Sequence, residues 1–205
     1  MSRFNRLMDS RVSRTYLVGS ILFVFIALFS VDQFAKNVLT LGINLTDSVP
    51  RGLYSSVSWR PTAREFRHGD YVTFCPPQNA YAQISNMPTN DRIHLLHPGI
   101  CPMDAIPLIK TVAAIPGDLV YVEPGKNGWI SINGTRRPAS AQTAEDNLGH
   151  LREHLGRGFY VIPPSTFFAM GTNPRNDSWD SRYWGSVNMD SVISRDYPIV
   201  IERYK

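Results

Sequence analysis

The chain has 205 residues, 43% of them hydrophobic and 19% charged, with a formal net charge of +4. That length suits one domain of ordinary size plus an appendage and allows a real core. Arg3, Arg6, Arg11 and Arg14 all precede residue 15, so much of the basic excess is local and gives no sign of a nucleic-acid partner.

The stretch TYLVGSILFVFIALFSV, residues 15 to 31, carries no charge and ends at Asp32. It predicts a transmembrane helix over 15–35, with DQFAKNVL carrying its end through the interface. The arginines before it outnumber Lys36 after it, so the positive-inside rule puts residues 1–14 in the cytoplasm. Residues 36–205 would then lie outside, which in a bacterium is the periplasm. A cleaved signal peptide is the rival reading, but the run exceeds a usual apolar region and no A-x-A site follows. A buried core helix is a third, and no polar face interrupts the run to support it.

Beyond the anchor, TDSVPRGLY (46–54) sets Thr46, Ser48 and Pro50 together; a serine before a proline is ordinarily a turn starter. Short runs rich in β-branched and aromatic residues then predict strands: GDYVTF (69–74), PLIKTVAAI (107–115), DLVYVE (118–123), GWISING (128–134), GFYVI (158–162) and TFFAMG (166–171). Asn133-Gly134 is a hairpin signal. Residues 142–156 read as a helix weakened by Gly149, and about 76–106 and 135–157 as loop insertions. The fold class expected is mainly β. Cys75 and Cys101 enclose a proline-rich loop, and a single disulfide closing it is favoured over two separate thiols.

Lys110 stands alone in an apolar strand, and alternation puts it on one face with Val112 and Ala114. Facing inward, it must be paired or neutral, because a bare buried ammonium is costly. A neutral lysine is a competent general base. At a sheet edge it would instead reach water. GTNPRNDSWDSRYWG (171–185) mixes polar residues with Trp179, Tyr183 and Trp184, which suits either a network pinned by aromatics or a surface loop capping the core.

Taken in order, TDSVPRGLY, GDYVTF, KTVAAIPGD and GTNPRNDSWDSRYWG resemble the successive boxes of the type I signal peptidases, membrane-anchored enzymes in which a serine attacks a peptide bond and a lysine acts as base. The single residue between Ser48 and Pro50 is similar to the family's conjugal-transfer branch, TraF. The resemblance implies a coiled antiparallel β-sheet domain, with Ser48 as nucleophile and Lys110 as base. The Ser48 N–H and the Thr46 hydroxyl would form the oxyanion hole. It further implies that Ser178 orients Lys110 and that Asp180 pairs with Arg182, with Ser181 beside them. Thr172 departs from the aspartate usual after the glycine, and the stretch from Gly171 to Ser178 is one residue longer, which puts the roles of Asn173 and Arg175 in doubt.

The partner implied is a membrane-inserted pilin precursor, cleaved at the inner-membrane lipid surface, with the acyl-enzyme resolved by water or by the pilin's own amino terminus. No cofactor and no metal is expected. A general leader peptidase is the alternative, and an idle periplasmic assembly module a third reading of another class. HLREH (150–154) matches a zinc-peptidase pattern through His150 and His154, but glycines crowd it and no third ligand follows. HLLH (94–97) reads as a solvated loop, and Gly117-Asp118 as turn chemistry.

Overall fold

The computed structural model describes residues 19–26, 30, 40–62, 65–86, 99–124, 128–138, 140–142, 154–172 and 178–202. The chain divides into two units, Met1–Thr40 and Leu41–Lys205. In the first, residues 19–26 are helical and the apolar side chains of 21–26 are all exposed. Most of the predicted anchor lies outside the described residues, and among these no helix is long and apolar enough to cross a membrane.

The second unit is mainly β, as its composition predicts. A seven-stranded sheet runs in the order β1 (Thr40–Asn44), β2 (Gly52–Ser58), β11 (Val192–Ile201), β3 (Tyr71–Phe74), β4 (Leu108–Ala114), β9 (Thr166–Met170) and β10 (Val187–Asn188). A four-stranded sheet runs β7 (Thr135–Arg136), β6 (Ile130–Ile132), β5 (Leu119–Val122) and β8 (Gly158–Val161). Pairing from β2 through to β10, and throughout the smaller sheet, is antiparallel.

β4 and β9 are buried on both faces and serve two cores. Val112, Phe167 and Ala169 join Val72, Phe74 and Trp184 in one, while Ala113, Ala114, Phe168 and Met170 join Val120 and Ile130 in the other. A register shift between Val112 and Ala114 breaks the alternation. Lys110 therefore shares its face with Val112 and Leu108, whereas Ala114, expected on that face, belongs to the second core.

The strands β3 to β6, β8 and β9 fall inside the predicted runs; β1, β2, β7, β10 and β11 are additional. The insertion after β3 is not all loop, since Gln78–Asn86 forms a helix. Its Asn79 Nδ2 donates to the Trp184 carbonyl at 2.7 Å, and its Gln83 Oε1 accepts from Trp179 Nε1 at 3.1 Å. Of the helix expected over 142–156, residues 143–153 lie outside the described residues and 154–156 are not helical. A disulfide joins Cys75 to Cys101, with Cα atoms 5.4 Å apart, across the base of the excursion between the paired strands β3 and β4.

Turn chemistry ties the two sheets together. Gly117 takes φ 88°, and Asn133 and Gly134 take φ 50° and 79°, the two positive values a two-residue hairpin requires. Asp118 accepts from the Ile115 N–H at 2.8 Å and from Asn133 Nδ2 at 2.7 Å, and lies 2.6 Å from His68 Nε2. Burial would raise its carboxyl; the Ile115, Asn133 and His68 hydrogen bonds outweigh this and hold it below the ordinary range. One carboxylate thus connects the β2–β3 loop, the β4–β5 turn and the β6–β7 hairpin. Asp118→Ala leaves these donors unmatched and should lower the free energy of unfolding by about 1–3 kcal/mol, read from urea denaturation.

Candidate active site

Ser48 sits in the loop joining β1 to β2, a loop pinned by side chains rather than by a sheet ladder. The buried amide of Asn44 donates from Nδ2 to the carbonyls of Thr46, Val49 and Pro50 at 3.0, 3.0 and 3.1 Å. Its Oδ1 accepts from the Thr46 N–H at 3.1 Å, an Asx-turn contact. The Tyr54 hydroxyl donates to the Pro50 carbonyl at 2.6 Å, and Val49 is fully buried. Ser48 itself is half-buried.

The Thr46 hydroxyl donates to Asn44 Oδ1 at 2.8 Å, and to serve as an oxyanion donor it would have to rotate toward the cleft.

Lys110 lies mid-strand in β4, opposite Val72 of β3, and is only 3% exposed. It is an inward lysine, not one at a sheet edge. Across from it runs the segment after β9. Asp180 is the N-cap of the short helix Ser181–Trp184 and accepts from the Arg182 N–H at 3.1 Å. The Arg182 guanidinium folds back, with Nε donating to Asp180 Oδ1 at 2.8 Å and Nη2 to Oδ2 at 2.9 Å. Nη2 also donates to the Ser178 carbonyl and Nη1 to that of Ala141, at 2.8 and 2.9 Å. Both charges are buried, at 0% and 1% exposure. Ser181 Oγ accepts from the Ala169 N–H at 2.9 Å, stitching the helix to β9.

Gly171 brings the pieces together. Its N–H donates to Asp180 Oδ2 at 2.8 Å. A Cβ built there would collide with the Ser178 side chain and come within 2.7 Å of the Ser48 carbonyl oxygen. The next amide, Thr172 N–H, donates to that same carbonyl at 2.7 Å. The departure at Thr172 is therefore harmless to this contact, because the backbone makes it. Asn173 and Arg175 lie outside the described residues.

Ser48, Thr46 and Lys110 line one cleft of about 600 Å³, along with Trp179 and Asp196. Ser178 Oγ is buried and has no hydrogen-bond partner among the described residues, a costly state that a further polar group would relieve. Burial would raise the Asp180 carboxyl. The Arg182 charge and hydrogen bonds, the Gly171 N–H and the Lys110 charge together outweigh it and hold the carboxyl below its ordinary 3.8. A hydroxyl and a buried amine in one cleft, with the orphan hydroxyl of Ser178 packed beside Gly171, are the parts of a nucleophilic site. His150 lies outside the described residues and His154 is exposed, and among the described residues no three metal-ligating side chains are grouped. Asn44 and Asp196 were not among the expected site residues; the spacing of Asn44 from Thr46 is the one local signal that points to it.

Because the Asp180 pKa is depressed on folding, the pair's stabilisation is fully present above the ordinary carboxylate value and is lost as pH falls through the lower folded value. Asp180→Asn leaves Arg182 buried without its anion and should cost about 3–5 kcal/mol at neutral pH. Its urea midpoint should then fall less than that of the wild type on acidification. Gly171→Ala should cost about 1–3 kcal/mol through the contacts its methyl would meet, measured the same way.

The family model for signal peptidase, peptidase S26, matches residues 13–200. The chain is 32% identical over 184 residues to a conjugal transfer protein TraF of Agrobacterium tumefaciens, covering 88% of this chain and 94% of that one. It is 29% identical over 158 residues to the plasmid transfer protein TraF of Escherichia coli, covering 77% and 81%. A signal peptidase I of Leptolyngbya laminosa is 33% identical over 87 residues, covering 42% and 37%. The likeness thus runs along most of the TraF proteins and along a shorter part of a signal peptidase I. The chain belongs to the signal peptidase family, peptidase S26.

Proposed function

We propose that this signal peptidase I-like protease is a membrane-anchored serine endopeptidase that uses Ser48 and Lys110 to process a pilin precursor in conjugative transfer. The observation that carries the reading is that Ser48 and the 97%-buried Lys110 line one cleft, with Gly171 and Thr172 held against the Ser48 carbonyl. A lysine acts as base only as the free amine, the form Lys110 would take on giving up its proton before attack. As Ser48 Oγ attacks the scissile carbonyl, its proton passes to the Lys110 amine. The Ser48 N–H, with Thr46 after rotation, meets the developing oxyanion, each donor being worth about 2.7–4 kcal/mol of barrier. Lys110 then returns the proton to the departing amine, leaving an acyl ester on Ser48. The incoming acceptor, water or an amine, loses a proton to Lys110, which passes it to Ser48 Oγ as the ester breaks. In this mechanism the Ser178 hydroxyl, without a partner among the described residues, is the group that would turn to the Lys110 amine and orient it.

The anchor over 15–35 is part of the proposal. It rests on the uncharged run and on the exposed apolar side chains of 21–26. The N-terminus would be cytoplasmic and the peptidase unit periplasmic, where a Cys75–Cys101 disulfide persists. Tethering confines enzyme and membrane-inserted substrate to one surface and raises their effective concentration. A general leader peptidase is the second reading, favoured by the likeness to signal peptidase I. The coverage of the TraF proteins and the Ser48–Pro50 spacing weigh toward the first.

Ser48→Ala and Lys110→Ala should each reduce processing at least about a thousandfold, with the protein still folded. The check is the intact mass of the pilin from cells carrying wild type or either variant. A processed subunit one water lighter than its linear form, made only by wild type, shows an amine acceptor; a linear one shows water. Processing by either variant at wild-type levels would mean that the dyad is wrong.

A further inference from the structure

Asp196, on the inner strand β11, is 3% exposed and lines the same cleft as Ser48 and Lys110. Its oxygens accept from the Thr73 hydroxyl at 2.8 Å and the Ser194 hydroxyl at 3.1 Å. Two donors leave roughly half of a carboxylate's acceptor capacity unused. Among the described residues no cationic side chain pairs with it. The adjacent Arg195 is engaged elsewhere, ion-paired with Asp70 at 2.6 Å and lying over the Trp59 and Tyr197 rings. Asp180, the other buried carboxylate of the site, has a full set of partners. A buried carboxylate satisfied only by neutral hydroxyls is expensive to keep. One that opens on a cleft is poised to be completed by whatever fills it.

We infer that Asp196 is the cation-binding floor of a substrate subsite, and that it selects a lysine or arginine side chain of the polypeptide near the bond being cleaved. The rest of the cleft suits that ligand. Ile43, Leu108 and Ile109 give an apolar wall for the methylene stem, and Ser56, opposite Asp196 in register, adds a hydroxyl at the same level. A charge-assisted bond at the end of such a stem is stronger than a neutral one and discriminates against an uncharged isostere. Because Ser48 lies in the same cleft, the cation belongs to the cleaved chain itself. The inference rests on the peptidase reading above and adds a preference that reading does not contain.

The test uses the full chain in detergent micelles and internally quenched peptides taken from the pilin sequence, acetylated and amidated so that a side chain is their one cation. At each position around the scissile bond, Lys, Gln and Glu versions are compared by kcat/KM. At one position the Lys peptide should be cleaved at least about tenfold faster than the Gln peptide, the factor that 1.4 kcal/mol represents. Asp196→Asn should bring that ratio to about one, Asp196→Glu should keep most of it, and Asp196→Lys should favour the Glu peptide. A ratio does not depend on how much enzyme is folded. Should Asp196→Asn be inactive, Ser56→Lys, which places a cation beside the carboxylate, should also collapse the ratio. A ratio near one at every position in wild type, or one that persists in these variants, overturns the inference and leaves the peptidase standing. Peptides that wild type cleaves no faster than Ser48→Ala does would overturn the peptidase reading, and the subsite with it.

Discussion

Taking one carboxylate and one guanidinium wholly out of water is costly, several kcal/mol per ion even after relaxation. The fold accepts that cost at Asp180 and Arg182, and most of the site's geometry follows from how it is offset. Arg182 reaches three groups besides its own amide: Asp180, Ser178 and Ala141. Asp180 in turn takes the Gly171 amide. With Gly171 fixed, Ser178 is pressed against it and the following amide reaches the Ser48 carbonyl. The Ser48 loop is thus positioned by an ion pair that does not itself line the cleft. Such a pair is weak evidence of stability but strong evidence of a specified arrangement, because no looser packing would satisfy both charges.

How much of this could be read beforehand depends on which atoms make each contact. Lys110 is legible because a lone charge in an apolar strand is anomalous, and Asp180 and Arg182 because their motif belongs to a known family. Gly117-Asp118 and Asn133-Gly134 announce turns through residue types that only turns favour. Thr172 is illegible because it acts through its N–H, which any residue other than proline would supply. β2 and β11 are hidden for another reason. GLYSSVS carries too many serines to read as a strand, and VISRDYPIVI contains a proline. That proline is tolerated because β3 pairs only as far as Asp196, and a bulge follows Pro198 where β11 meets β2. The helix Gln78–Asn86 has a weak apolar face and is held by polar contacts to the active-site segment, which no local pattern encodes.

The same separation applies to the cleft. Its apolar wall and Ser48 come from the stretch around β1, β2 and β4, whereas Asp196 comes from a strand the sequence leaves unmarked. A carboxylate in a run such as SRDYP reads as a surface charge. Only the sheet order, which sets β11 between β2 and β3, turns it inward and buries it.

That sheet order also constrains when the cleft can form. β2 and β3 do not pair with each other; they are joined by β11, and Thr73 meets Asp196 across 123 residues of chain. Closing so long a loop is entropically unfavourable until the final contacts reward it, so the large sheet is expected to form late and slowly. A ribosome delivers the Ser48 loop and Lys110 well before β11, and the chain spends its synthesis with a cleft that lacks one wall. Ser48 is delivered early, but the cleft that it lines is expected to be finished only when the last strand has been threaded between its neighbours.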